Sequence, residues 1–195
     1  MISSYRLGDL VLLSLTHNEM NELLKDYPNS IGATFIKEKI RNKNSTNIDI
    51  ITNIVLRNII QNEPGLPKDT SESTVIHLRL GDVVAGNTDH EKEKRPLDKN
   101  IIKELLINDT NKKYIIGNCF FAKPSSNNYE ECINKSNEYL QSIITELDAT
   151  HFDSKNADVD LCLAVKAKLF VQGKGYYSKL IVEIRKKLNL PNIEI

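Results

Sequence analysis

Thr74-Val-Ile-His77-Leu-Arg79-Leu-Gly-Asp82 is the stretch on which the reading of this chain turns. Thr74 to Arg79 has the texture of a short apolar strand that ends in polar groups. Side chains alternate along a strand, so His77 and Arg79 fall on one face and Leu78 and Leu80 on the other. Gly81-Asp82 then reads as a turn. A strand buried in a parallel sheet is normally apolar on both faces. Two cation-capable side chains at its carboxyl end therefore need a reason. One reason is an anion site: Arg79 forks onto a phosphate, His77 donates or orients beside it, and Asp82 fixes the arginine or the loop. The other is a structural Arg–Asp pair with a satisfied, half-buried histidine. The stretch alone leaves both open.

Downstream, strands and helices alternate. Lys113–Phe121, Ala149–Phe152 and Lys168–Gln172 read as further strands. Asn100–Ile107, Asn134–Leu147, Asp158–Lys166 and Tyr176–Leu188 have helical spacing between and after them. Tyr139, Leu140, Ile143, Ile144 and Leu147 share one face of the second of these, and Leu180, Ile181, Ile184 and Leu188 one face of the last. This order predicts an α/β fold, a parallel sheet with helices on both faces. Ligands in such sheets sit at the carboxyl ends of strands, beside helix N-termini.

Upstream the pattern is helical. Thr16 and Glu19 have capping-box spacing before Met20, Leu23 and Leu24. Ile50, Ile51, Ile54, Val55 and Ile59 form a second helical face. Gln61–Ser73 holds two prolines, a glycine and a polar cluster, which divides the chain into a short, mainly helical segment, 1–65, and an α/β domain, 74–195. There is no repeat at solenoid periods.

Composition narrows the function. The 195 residues carry 26 Lys+Arg against 26 Asp+Glu. A zero net charge argues against a general nucleic-acid or membrane-surface binder, which needs a cationic surplus. No run of roughly 18 apolar residues is present, so no membrane span is expected. Met1–Leu10 lacks the apolar stretch of a secretory signal, and a cytoplasmic location is expected. Cys119, Cys132 and Cys162 are odd in number and lack CxxC spacing, which reads as free thiols. Sequons at Asn44, Asn108 and Asn134 are the chance matches expected of an Asn-rich chain.

Leu169-Phe-Val-Gln-Gly173-Lys174-Gly175-Tyr176-Tyr177-Ser178 is the second candidate. Glycines between a strand and a helix let backbone N–H groups approach a phosphate, and the helix N-terminus adds partial positive charge. It is neither a Walker loop nor GxGxxG. A tight turn with Ser178 as cap is the alternative, and Lys174 is either a ligand cation or a surface lysine. Asp158 and Asp160 open a helix, where carboxylates serve as caps and dipole partners, with room for one to reach a ligand as well. His17, His90 and His151 read as structural or solvated, and Asp89–Arg95 as a mixed-sign solvated loop. Cys162 reads as core packing.

Taken in order, a strand bearing His77-x-Arg79-x-x-Asp82, strand–helix units, an Asp-led helix and a strand–turn–Ser178 helix resemble the donor-binding half of the fucosyltransferase superfamily. The resemblance runs from about Val75 to Leu188. It implies a Rossmann-like domain of the B-type glycosyltransferase fold, a GDP-sugar donor (GDP-fucose in the family), a glycan acceptor and inverting transfer with neither metal nor cofactor. It implies that Arg79 binds the diphosphate, that His77 lies next to the nucleotide sugar and that the Ser178 region holds the β-phosphate. His77 and Arg79 are then the catalytic candidates. The donor set is His77, Arg79, Asp82, Asp158, Gly173, Lys174, Gly175, Tyr177 and Ser178. Two departures stand out. Leu80 replaces a second arginine implicated in catalysis in many members, and the N-terminal segment is much shorter than the family's acceptor-side domain. Tyr5–Leu10 resembles the glycine-rich opening of some members. Two readings stay open beside the enzyme. One is a non-catalytic relative that holds a nucleotide or glycan, as a homo-oligomer or with a partner chain supplying the acceptor side. The other is an unrelated α/β enzyme acting on phosphate esters.

Overall fold

The described strands are short and all pair in parallel. A computed structural model describes residues 6–42, 44–85, 96–120 and 129–195. Its strands are β1 (Thr74–His77), β2 (Leu80–Gly81), β3 (Lys113–Ile116), β4 (Cys119–Phe120), β5 (Ala149–His151), β6 (Leu169–Val171) and β7 (Asn192–Ile193). Five of them form the main sheet in the order β5-β3-β1-β6-β7, and β2 pairs with β4. The helices are α1 (Leu7–Leu12), α2 (His17–Asp26), α3 (Ile31–Arg41), α4 (Asn47–Asn62), α5 (Asp82–Ala85), α6 (Lys99–Leu105), α7 (Tyr129–Leu147), α8 (Ala157–Lys166) and α9 (Tyr176–Lys187).

Alternation along the strands sorts the core into two layers. Val75, Ile116 and Phe170 pack with α1–α4, α8 and α9 on one face. Ile76, Ile115 and Val171 pack with Ile102 and Leu106 around α6 and with Leu140 and Ile143 of α7 on the other. The expected parallel sheet with helices on both faces is thus present, with N-terminal helices preceding it. Each fully buried aliphatic side chain contributes about 1.5–3 kcal/mol. The Gln61–Ser73 stretch contains two 3-10 turns, Glu63–Gly65 and Thr70–Glu72, and α1–α4 share one hydrophobic cluster with the sheet. Among the described residues no helix is long and apolar enough to cross a membrane.

Local signals explain most helix starts. Thr16 and Glu19 form the expected capping box, and Ser30, Thr46, Asp98 and Asn156 cap α3, α4, α6 and α8. Several elements differ from the sequence expectation. The strand expected over Lys113–Phe121 breaks at Gly117-Asn118 into β3 and β4. Gly117 has φ +133°, and a Cβ there would lie 2.0 Å from the Leu78 carbonyl oxygen, so the chain bends where it crosses its neighbour. Helix α7 begins at Tyr129, earlier than expected. Helices α1, α3 and α5 and strands β2 and β7 were not expected, and Gly81-Asp82, read as a turn, is the end of β2 and the start of α5. Met1–Tyr5, the Asp89–Arg95 loop with His90, and Phe121 lie outside the described residues.

Candidate functional site

Strand β1 sits between β3 and β6. From β1 the chain builds outward to β3 and β5 on one side, then returns to β6 and β7 on the other. The crevice at the carboxyl ends of β1 and β6 is therefore the switch point of the sheet, the place where open α/β sheets bind ligands. Both stretches singled out in the sequence emerge there. His77 ends β1, and Gly173 follows β6 by two residues.

They touch closely. A Cβ on Gly173 would lie 2.2 Å from the His77 carbonyl oxygen and 2.5 Å from His77 Nδ1. Only a residue without a side chain lets the loop lie down on the strand end. Gly175, the N-cap of α9, has φ +97°, and its Cβ position is 3.5 Å from Arg79 Nη1. The His77 and Tyr177 rings stand 5.5 Å apart, tilted by 49°. Tyr177 donates its hydroxyl to the Ala157 carbonyl at the start of α8. Ser178 Oγ accepts the Gly173 N–H at 2.8 Å and so closes the loop on itself. His77, Arg79, Gly173, Gly175, Tyr177 and Ser178 thus form one cluster.

One detail differs from the strand-face reading. Regular pairing of β1 ends at His77, so Arg79 lies in the turn beyond it, half-buried. Leu78 and Leu80 do take the opposite face, buried in the layer with Ile76. The Leu78 N–H still bonds to the Ile116 carbonyl at 2.9 Å, which holds the strand end in place.

His77 is 7% exposed, and its Nδ1 has no hydrogen-bond partner among the described residues. Burial first, and the Arg79 charge second, push its pKa down to about 4. The imidazole is therefore neutral at pH 7. The N-terminus of α9 carries partial positive charge beside the same crevice. A neutral donor–acceptor ring, a guanidinium and a helix N-terminus together suit an anion with hydroxyl-bearing neighbours.

The other expected residues are placed differently. Asp158 Oδ2 accepts the Ile31 N–H at 2.8 Å, so its carboxylate serves the start of α3. Asp160 is buried, bonded by the Ser154 hydroxyl at 2.6 Å, and burial pushes its pKa up to about 6. Lys174 Nζ donates to the Ile195 carbonyl at 3.4 Å. Asp82 opens α5, and its side chain lies outside the described residues. Cys119, Cys132 and Cys162 form no disulfide among the described residues, and Cys162 is in the core. His17 begins α2, and His151 Nε2 contacts the Gly117 carbonyl at 3.3 Å. Sequence reasoning missed Ser136. This residue of α7 is fully buried and accepts the Gly81 N–H at 2.9 Å, pinning the turn after Arg79. The only signal was a small polar residue on an apolar helix face.

The sequence matches no family model, and no curated protein matches it. Among solved structures the chain is similar to POFUT1 in complex with GDP (crystal form III), with a TM-score of 0.43 and 11% sequence identity. The match covers 74% of this chain and 49% of that one, so the chain spans about half the length of the structure it matches.

Proposed function

We propose that this protein binds a nucleoside diphosphate sugar at the β1–β6 crevice and is a fucosyltransferase-like glycosyltransferase with a GDP-sugar donor. The observation that carries this reading is the meeting of two motifs at the switch point. The α9 N-terminus rests on His77 through Gly173, beside the Arg79 guanidinium. The order of those motifs, which resembles the fucosyltransferase superfamily, supports GDP-fucose as the donor and a glycan hydroxyl as the acceptor.

In this reading the acceptor oxygen attacks the anomeric carbon as the bond to the diphosphate breaks, with inversion. Charge grows on the leaving diphosphate. Arg79 and the first-turn N–H groups of α9 stabilise it. The Gly173 N–H is already held by Ser178, so its part is to shape the loop rather than to grip the phosphate. With a pKa held near 4, His77 is a weak base. It serves through an uncharged hydrogen bond from its ring to the donor. Asp158 acts by holding α8 against α3, and no metal or cofactor is part of the scheme.

One observation favours a second reading, a nucleotide-binding relative without turnover. Leu80 stands where many family members have a further arginine, and it is buried in the opposite layer. A thermal-shift series tests the first claim. GDP should stabilise the protein, ADP and UDP should not, and Arg79→Ala should abolish the effect. No shift with any nucleoside diphosphate removes both readings. Release of GDP from GDP-fucose then separates enzyme from binding module.

A further inference from the structure

The start of α9 is held from two sides: Gly173 lays the loop before it on His77, and α1 packs against its first turn. Gly8 lies buried in α1. A Cβ on Gly8 would sit 2.4 Å from the Tyr176 carbonyl carbon and oxygen and 2.5 Å from the Tyr177 nitrogen. Those are backbone atoms of the first turn of α9, so no side-chain rotation relieves the contact. Helix α1 cannot simply give way. Leu7, Leu10 and Val11 are at most 2% exposed, Arg6 pairs with Glu19 of α2, and Asn47 of α4 donates to the Val11 carbonyl at 2.9 Å. Six residues do not hold a helix unaided. This one is fixed by its surroundings.

We infer that α1 is a built-in part of the nucleotide site, with Gly8 as the positioning residue that sets where the α9 N-terminus stands over His77. This rests on the nucleotide reading above and extends it: the N-terminal segment shapes the donor side. An added methyl must displace the Tyr176–Tyr177 peptide by about 1 Å, and a misplacement of that size among reacting groups can cost about a hundredfold in rate.

Gly8→Ala is compared in the full chain with two controls, using inorganic pyrophosphate and GDP as probes. Gly65→Ala adds a methyl where no atom lies within 4 Å. Ile51→Val loosens the same hydrophobic cluster at a residue 0% exposed. Gly8→Ala should weaken both probes roughly tenfold or more, while Ile51→Val, which lowers stability without adding an atom against the α9 turn, should leave them unchanged. Unchanged affinity in folded Gly8→Ala, or equal loss in Ile51→Val, overturns the inference. Should Gly8→Ala fail to fold, amide exchange in the unaltered protein decides. Saturating pyrophosphate should slow exchange at Leu10 and Leu13, whose N–H groups bond within and just past α1; unaltered rates overturn the inference. An unaltered protein that binds neither probe removes the nucleotide reading itself, and this inference falls with it.

Discussion

Ser178 Oγ accepts the backbone N–H of Gly173, and both residues are buried. One hydroxyl thereby fixes the whole Gly173–Ser178 loop against the end of β1. The same residue was expected as a helix cap or phosphate ligand, yet α9 has Gly175 as its N-cap with no side-chain bond.

Ser178→Ala leaves the Gly173 N–H buried without a partner. Such a group costs about 1–3 kcal/mol. Thermal unfolding should show a melting temperature lower by several degrees, and a GDP-induced shift should shrink with it. A variant as stable as the parent would mean that water or another group replaces the hydroxyl.

Gly175→Ala tests the loop geometry directly. At φ +97° an L side chain is strained, at a cost of about 1–3 kcal/mol. The methyl would also come within 3.5 Å of Arg79 Nη1. Urea denaturation should show the loss, and unchanged stability would show that the loop relaxes at no cost.

Arg185→Met should be the most damaging of these substitutions. Arg185 is 0% exposed and donates to the carbonyls of Ala164, Val165, Ala167, Lys168 and Pro191 and to the Asn192 side chain. Burial lowers its pKa to about 10, so it stays charged at neutral pH. Removing it orphans carbonyls at the end of α8 and beside β7, a loss above about 3 kcal/mol. Arg185→Lys should recover little, because an ammonium lacks the fork that reaches both groups. Equal stability of Arg185→Lys and the parent in a melt would refute this account.

The acid response should come from two buried groups of opposite sign. His77 titrates near 4 when folded and near 6.5 when unfolded. The unfolded chain therefore takes up a proton first, and stability falls between pH 6.5 and 4, by on the order of 3 kcal/mol. Asp160 titrates near 6 when folded against 3.8 unfolded, so its contribution is full below pH 3.8 and is lost as pH rises through 6. Between pH 6 and 4 the two oppose each other. Asp160→Asn should make the protein lose stability from pH 7 to 5 more steeply than the parent, and His77→Gln should make it gain stability over that interval. Denaturant midpoints at the two pH values read this out; parallel profiles for all three proteins would contradict it.

Much of the architecture was legible because it is local. Strand and helix periodicity marked β1, β3, β5, β6, α4, α6, α8 and α9 to within a few residues, and the Thr16–Glu19 box marked the start of α2. Helix α1 was not legible. Its Leu7, Leu10 and Val11 are too few to signal a helix, and it exists because α9 covers them. Strand β7 has two residues and only the neighbouring β6 defines it.

The sequence alone determined the class of fold and the two polar motifs at strand ends, because alternation and glycine placement are properties of a few neighbouring residues. The meeting of those motifs was decided by strand order, which puts β6 beside β1 and so lays Gly173 on His77. Burial of Arg185 and the contact of Gly8 with Tyr176 were decided the same way. Each depends on which surfaces pack together across the sheet, and close packing between residues distant in the chain leaves no periodic mark on either of them.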